Sequence, residues 1–361
     1  MKYYLDNAAT TPLCEEAKRV IIDNLDTFGN PSSKHSLGRA VRHKIEDARK
    51  RIAEEINANP NEIFFTSGAS ESNSWILHGF GSILTTATEH HSVLNAVSKS
   101  KYVDYICCTL QGIDMNDIIE KLTLNQYRCV TIQHVNNELG YINNIKEIRR
   151  IVPKHTLLHV DATQSIPHMK INVKSLDVDA MSFSGHKFGA MKGVGVLYVK
   201  HKWQSALWNL ISGGSQERDM RGGTENVLGI LSMDAALSAR NLDSFEPQLT
   251  AFREIMDKVD GIKYNTSYED SCTTGIISLT IDGIESESLM LLLEMEDIFV
   301  SAGSACAGSG EISHVLKAVG MTDERARGTI RISMSHDIRP IDMTYVANRL
   351  INKIGILRKF T

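Results

Sequence analysis

Four short segments carry side chains whose types and spacing favour chemistry, and the first contains a lysine. Ser184-Gly-His-Lys187 follows the apolar run Ala180–Phe183, which places the lysine in a glycine-containing turn after a strand. A lysine removed from water there has a lowered pKa and can attack a carbonyl carbon to form a Schiff base. Most lysines are surface residues, but the adjacent Ser184 and His186 favour the reactive interpretation.

Two further segments could hold a cofactor. Asp161 ends the apolar run Leu157–Val160, where a buried carboxylate needs a cation or hydrogen-bond donors. Thr66-Ser-Gly-Ala-Ser-Glu71 joins a strand to a helix, and backbone N–H groups at such a turn attract an anion. Each segment alone is explained more simply as a helix cap. Together with Lys187, they are the parts of a pyridoxal phosphate site.

The fourth segment, Val300–Gly310, contains one cysteine among glycine, alanine and serine residues. Such a segment buries little apolar surface, so we expect it to be mobile. A structural cysteine belongs in an apolar core, as we expect for Cys107 and Cys129 in strand-like runs. Cys306 does not fit that pattern, and we predict that its thiolate is a nucleophile that moves.

The elements that must position these segments alternate between strands and helices. Apolar residues at i+3/i+4 spacing predict an amphipathic helix over residues 38–57. Strands are predicted at Glu62–Thr66, Tyr102–Cys107, Cys129–Gln133, Leu157–Val160, Ala180–Phe183 and Val194–Val199. This alternation predicts a mostly parallel sheet that binds its ligand at the carboxyl ends of the strands.

The last third of the chain has a different pattern. After a boundary near Asn241–Pro247, we predict a smaller α+β unit, and we expect the first dozen residues to pack with it. Its predicted elements are strands at Ile276–Ile281 and Thr329–Met334 and helices near Glu285–Asp297 and Asp342–Arg358.

Length and composition narrow the class of protein. The 361 residues, 42% hydrophobic and 23% charged, suit about two globular domains. A net charge of −4 gives no sign of direct nucleic-acid binding, and no apolar run reaches the ~18 residues of a membrane span. The start lacks the apolar stretch of a signal peptide, so we expect a cytoplasmic protein with free thiols. No residue cluster has metal-ligand spacing, so no metal is expected.

The ordered motifs resemble those of the cysteine desulfurases, which are pyridoxal phosphate enzymes of the class V aminotransferase family. The Ser304-Ala-Cys306 form resembles group I, the iron–sulfur assembly type. The matching segments are Tyr4–Pro12, Gly29–Ser33, Thr66–Glu71, Thr88–His91, His134–Gly140, His159–Ser165, Ser184–Lys187, Arg221–Asn226, Ser304–Cys306 and Ile330–Ser333.

This resemblance implies the α/β architecture of a fold type I pyridoxal-phosphate-dependent transferase. The large domain, residues 13–245, is expected to contain a mostly parallel seven-stranded sheet covered by helices. Residues 1–12 and 246–361 are expected to form a smaller α+β domain, which carries the mobile catalytic-cysteine loop at about 301–312.

The resemblance also implies a role for each matching residue. Lys187 would form the Schiff base and later move protons, Asp161 would pair with the ring nitrogen, and Cys306 would take the sulfur. The other implied contacts are His90 stacked on the ring as an acid or base, Gln164 at the ring hydroxyl, Ser70, the Ala69 backbone, Ser184 and His186 at the phosphate, Thr224 at the phosphate of a neighbouring subunit, Asn137 near ring and substrate, and Arg331 at the substrate carboxylate.

The implied function is removal of sulfur from L-cysteine, which leaves L-alanine and a persulfide on Cys306. The persulfide would pass to an acceptor protein, either an iron–sulfur cluster scaffold or a tRNA-thiolation enzyme, and Thr224 implies a homodimer with shared sites. Three alternatives stay open: a selenocysteine lyase, a class V aminotransferase and a non-catalytic partner protein. Ser335-His336 replaces the usual Gly-Arg, which we expect to alter the support of the substrate carboxylate.

Overall fold

Seven strands form the larger sheet of this computed structural model, which describes residues 2–302 and 312–359. The sheet order is β2-β10-β9-β8-β7-β3-β4, and only β10 runs antiparallel to its neighbours. The bounds are β2 Ile63–Thr66, β3 Ser82–Thr86, β4 Tyr102–Ile106, β7 Cys129–Gln133, β8 Leu157–Asp161, β9 Ala180–Ser184 and β10 Gly195–Val199. The predicted mostly parallel, seven-stranded sheet is therefore confirmed.

Helices cover both faces of this sheet, so its central strands are buried along their whole length. The helices in the first part of the chain are α1 Glu15–Asp23, α2 Ser36–Glu55, α3 Ala69–Leu77, α4 His91–Val97, α5 Met115–Leu124, α6 Ile145–Ile151, α7 Val173–Leu176, α8 Gln216–Asp219 and α9 Val227–Ser238. Short 3-10 turns lie at Pro60–Glu62, Gly185–Lys187 and His201–Ala206, and a hairpin joins β5 Cys108–Thr109 to β6 Gly112–Ile113.

Most predicted elements lie within one or two residues of their observed positions. The predicted helix 38–57 is α2, and its apolar positions Val41, Ile45 and Ile52 are buried as expected. Strand β3 was missed because only two of its five residues are apolar. The prediction of a buried Cys107 is wrong: this residue is exposed because it follows β4 at the edge of the sheet, whereas Cys129 lies in an inner strand and is buried.

A four-stranded antiparallel sheet, in the order β11-β12-β15-β14, forms the second core with three long helices. Its strands are β11 Ile262–Tyr264, β12 Ile276–Ile281, β14 Ser301–Ala302 and β15 Thr329–Ser333, and β1 Tyr3–Tyr4 pairs separately with β13 Ile298–Phe299. The three long helices are α10 Glu246–Met256, α12 Ser286–Glu294 and α15 Pro340–Leu357, and the shorter ones are α11 Tyr268–Thr274, α13 His314–Ala318 and α14 Asp323–Arg327. The division into residues 13–245 and 1–12 with 246–361 stays a prediction.

Residues 5–14, here called the N-terminal strap, connect the two sheets. Ser333 at the end of β15 donates its backbone N–H to Leu5 O (2.7 Å), and Thr11 N donates to His186 O (2.9 Å) beyond β9. The strap therefore crosses the space between the carboxyl ends of the large sheet and the small sheet. In the described ranges, no helix is both long and apolar enough to cross a lipid bilayer.

Candidate active site

A cavity of about 610 Å³ opens at the carboxyl ends of β8 and β9, within the range typical of small-molecule sites. It brings together most residues that the sequence analysis singled out. The lining includes Ala69, Ser70, His90, Asn137, Asp161, Gln164, Ser184, His186, Lys187 and Arg331. Cys306 lies outside the described residues.

Lys187 reaches the cavity from the 3-10 turn that follows β9. Its Nζ donates to two backbone carbonyls of the N-terminal strap, Ala8 O at 2.7 Å and Ala9 O at 2.8 Å. Gln164 Nε2 also donates to Ala8 O, at 2.8 Å. The sequence analysis missed these carbonyls because no side-chain signal marks a backbone acceptor. They hold the amine beside the predicted cofactor position.

Asp161 ends β8 and is buried, and both of its carboxylate oxygens accept a hydrogen bond. Oδ1 accepts from Thr163 N at 2.9 Å, and Oδ2 accepts from Asn73 Nδ2 at 2.8 Å. A carboxylate offers about four lone-pair positions, so these two donors leave room for a protonated ring nitrogen. Asn73, on α3, is a contact that the sequence analysis did not find.

The start of α3 provides the donors expected at an anion site. The helix begins at Ala69 after Gly68, and no side chain caps its first turn. Gly68 has a φ of +156°, and its Cα packs so closely on Gly195 that a Cβ at residue 195 would lie 2.6 Å away. Because the first backbone N–H groups of a helix have no partner within the helix, they suit a phosphate here. Ser70 lines the same cavity.

His186 closes the same end of the cavity, beside Ser184. Its Nδ1 lies 3.0 Å from Thr10 Oγ1 of the N-terminal strap. Burial, with smaller effects from Lys187 and Lys192, lowers the pKa of His186 to about 4. The imidazole is therefore neutral at physiological pH and contacts an anion only through hydrogen bonding.

Arg331 projects from β15 into the cavity, and its side chain is nearly buried. One terminal nitrogen, Nη2, lies 2.6 Å from Asp6 Oδ1, and the other, Nη1, donates to Asn137 O at 2.8 Å. Among the described residues, Arg331 Nε has no hydrogen-bond partner. The sequence analysis did not assign Asp6 a role, although it lies in the matching segment Tyr4–Pro12.

Two residues of interest lie away from the cavity lining. Thr224 is exposed and lines a separate cavity of about 130 Å³. Ser67 and Gly193 line both this smaller cavity and the larger one. The contact of Thr224 with a second subunit stays a prediction. His336, which follows β15, stacks on Phe245, the N-cap residue of α10, with ring centroids 4.1 Å apart, and its expected effect on the substrate carboxylate stays a prediction.

Comparison with known proteins agrees with this geometry. Residues 3–344 match the aminotransferase class-V family. Two relatives called cysteine desulfurase IscS are 36% identical (Dictyoglomus turgidum; 99% of this chain, 96% of the relative) and 34% identical (Methanosarcina thermophila; 92% and 86%). A NifS-like protein from Rickettsia africae has a TM-score of 0.90 at 30% identity, covering 98% of this chain and 100% of the other.

A further solved structure, described as SspA in complex with cysteine, has a TM-score of 0.81 and 32% identity, and the match covers 92% of this chain and 99% of that one. The family match and the relatives each extend over nearly the whole chain, and the solved structures share its fold. The chain therefore belongs to the class-V aminotransferase family and, within it, to the group I cysteine desulfurases.

Proposed function

We propose that this protein is a pyridoxal-phosphate-dependent cysteine desulfurase, which removes sulfur from L-cysteine and stores it as a persulfide on Cys306. The observation that carries the proposal is the content of one cavity: Lys187, the buried Asp161, the uncapped start of α3, and Arg331. These are the groups that an amino acid and a phosphorylated pyridine ring require together.

The donor set fits pyridoxal phosphate. Lys187 would hold it covalently through Nζ, Asp161 would bind the ring nitrogen, and Gln164 would contact the ring hydroxyl. Ser70, the Ala69 backbone, Ser184 and His186 would bind the phosphate, with Thr224 of a second subunit. When bound, the cofactor accepts the electrons released as the substrate loses its α-proton.

The substrate would bind through its carboxylate. Arg331 offers a planar fork of N–H donors that suits a carboxylate, and Asn137 lines the cavity beside it. The solved relative SspA is described as a complex with cysteine, which supports the same substrate here. Lys187 Nζ, once it is displaced from the cofactor, would take and return protons on the substrate.

Cys306 would carry out the sulfur step. Its thiolate attacks the substrate sulfur, the new S–S bond forms, and the Cβ–S bond breaks. The electron pair of the broken bond stays on Cβ, which takes up a proton and becomes the methyl group of alanine. The position of Cys306 rests on sequence alone, because it lies outside the described residues.

The proposal includes partners. We infer a homodimer in which Thr224 reaches the neighbouring site, and an acceptor protein that takes the persulfide sulfur, either a cluster scaffold or a tRNA-thiolation enzyme. The relatives' name IscS supports the cluster-assembly role. The proposed compartment is the cytoplasm.

The test is the mass of the intact protein after incubation with L-cysteine. We expect an adduct of about 32 Da on Cys306 that thiol reductants remove. Cys306→Ala is the control, which should keep the absorbance of the bound cofactor but release no sulfide. Wild-type sulfide release by this variant would contradict the proposal and favour an enzyme such as an aminotransferase, which does not need this thiol. A colourless protein that takes up no cofactor would favour a non-catalytic partner.

A further inference from the structure

The helix that His90 caps shows which ring nitrogen of this histidine carries the proton. Its side chain is the N-cap of α4, because Nδ1 accepts the backbone N–H of Ser92 at 3.0 Å. A backbone N–H is always the donor, so Nδ1 carries no proton in this arrangement. A neutral imidazole has one N–H, which must then be on Nε2.

A chain of hydrogen bonds from Asp161 is compatible with the same tautomer. The Asp161 carboxylate only accepts, so the Asn73 atom 2.8 Å from it is the amide nitrogen. The other hydrogen of that nitrogen points to Ser92 Oγ at 2.9 Å. Since Ser92 Oγ accepts from Asn73, its own hydrogen can be donated to His90 Nδ1, 2.8 Å away. His90 Nδ1, which has one lone pair, thus faces both the backbone N–H and the hydroxyl of Ser92.

Asn73 acts at this site through its two N–H donors. The residue is completely buried, and its Oδ1 has no hydrogen-bond partner in the part of the chain that the structure describes. Buried side-chain oxygens are normally paired, so the hydrogen-bonding contribution of Asn73 at this site comes from its two N–H donors. The amide nitrogen joins the carboxylate expected at the cofactor ring nitrogen to the imidazole expected on the ring face.

We propose that His90 works as a neutral hydrogen-bond donor through Nε2–H and not as the base that removes a substrate proton, and that Asn73 and Ser92 are the positioning residues that impose this state. The proposal rests on the proposed function. An Nε2 that already bears a proton cannot accept another, and protonation at Nδ1 would break the cap of α4. The base is then a different group, for which Lys187 has the position.

Burial and the neighbouring charges together favour the neutral form of the His90 imidazole. Burial of the ring is the largest effect and lowers the pKa of His90, although the residue is exposed by its accessible surface. Asp161 raises this pKa, whereas Lys187 and the neighbouring His91 lower it. His314 packs against His91, with ring centroids 4.3 Å apart, and adds no negative charge.

The direct test is ¹⁵N NMR of the imidazole nitrogens in histidine-labelled holoenzyme without substrate, with His90 assigned from the spectrum of His90→Gln. We expect the His90 Nδ1 shift of an unprotonated nitrogen and the Nε2 shift of a protonated one, both unchanged between about pH 7.5 and pH 8.5. An Nδ1–H tautomer, or an imidazolium that titrates in this range, would overturn the proposal. Since no turnover is needed, this result is independent of whether the protein desulfurates cysteine.

A matched pair of variants tests the role in the reaction. His90→Gln keeps an N–H donor near the Nε2 position, whereas His90→Asn keeps a cap for α4 but is too short to reach. In a Cys306→Ala background, exchange of the L-cysteine α-hydrogen with D₂O isolates the proton step. We expect His90→Gln to slow exchange less than about tenfold and less than His90→Asn. Loss of a general base costs about 10²–10⁴-fold, and a loss of that size in His90→Gln would show that His90 is the base.

Discussion

Arg331 and Asp6, which are separated by 325 positions in the sequence, form an ion pair in the cavity, with Nη2 and Oδ1 2.6 Å apart. The guanidinium proposed to bind the substrate carboxylate therefore already contacts a carboxylate of the protein. A substrate that binds Arg331 must compete with Asp6 or share the guanidinium with it.

Replacement of Asp6 should therefore strengthen substrate binding. Asp6→Asn keeps a hydrogen-bond acceptor but removes the competing charge. A partly exposed ion pair contributes about 1 kcal/mol of free energy. We expect the KM for L-cysteine to fall about fivefold with kcat nearly unchanged. Steady-state kinetics at low salt measures this effect, and Arg331→Lys, which should raise KM, is the control. A higher KM in Asp6→Asn would mean that Asp6 orients the guanidinium for the substrate.

The charge of Asp161 should matter for catalysis more than for folding. Asp161→Asn removes the negative charge beside the proposed ring nitrogen, although its side chain has nearly the same shape. Loss of one preorganised electrostatic contact lowers kcat by about 10²–10³-fold, and we expect a loss of this size. The absorbance spectrum of the bound cofactor and single-turnover kinetics measure it. Near-normal turnover with a normal spectrum would contradict the proposed role.

Glu138 should make stability depend on pH. Burial raises its pKa to about 7, although Ser313 Oγ donates to it and Arg331 lies near. The folded state therefore holds this proton more tightly than the unfolded chain does. Its stabilising contribution is complete below about pH 4.5 and is lost as pH rises to about 7.

Glu138→Gln keeps an acceptor for Ser313 and removes the titration. We expect this variant to gain as much as about 3 kcal/mol of unfolding free energy relative to wild type between pH 5 and pH 8. Urea unfolding of the holoenzyme at the two pH values measures the difference. Parallel pH profiles for the two proteins would show that Glu138 is already ionised in the folded state.

A buried ion pair should hold the chain near Thr224 in place. Glu217 accepts from Arg49 at 2.7 and 2.8 Å and from Phe65 N at 3.0 Å, and its φ is +46°. Glu217→Gln removes the buried counter-charge of Arg49 and leaves the half-exposed Glu46 as its acidic partner, which costs about 3 kcal/mol. We expect a lower melting temperature and weaker cofactor binding, whereas Thr224→Ala should weaken cofactor binding alone. Equal melting temperatures for Glu217→Gln and wild type would contradict this account.

The reactive residues that follow strands could be predicted from the sequence better than the residues that hold those side chains in place. Lys187 and Asp161 could be found because an apolar run followed by a polar residue is a local pattern, and the carboxyl ends of the strands meet at one edge. Asn73 has no local signal: it lies within α3, and its partner Asp161 is 88 positions away. The positions of Asp6 and of the carbonyls of Ala8 and Ala9 could not be predicted without the path of the N-terminal strap. That path depends on hydrogen bonds to Ser333 at the end of β15.

The N-terminal strap also has a consequence for the order of folding. Ala8 N donates to Ser333 Oγ, Asn7 donates to Ser333 O, and Asp6 pairs with Arg331, so these residues bind partners that lie about 325 positions away in the sequence. Contacts between residues so distant in sequence form slowly during folding. Because Lys187 Nζ donates to Ala8 O and Ala9 O of the strap, we expect the environment of this amine to form late in folding.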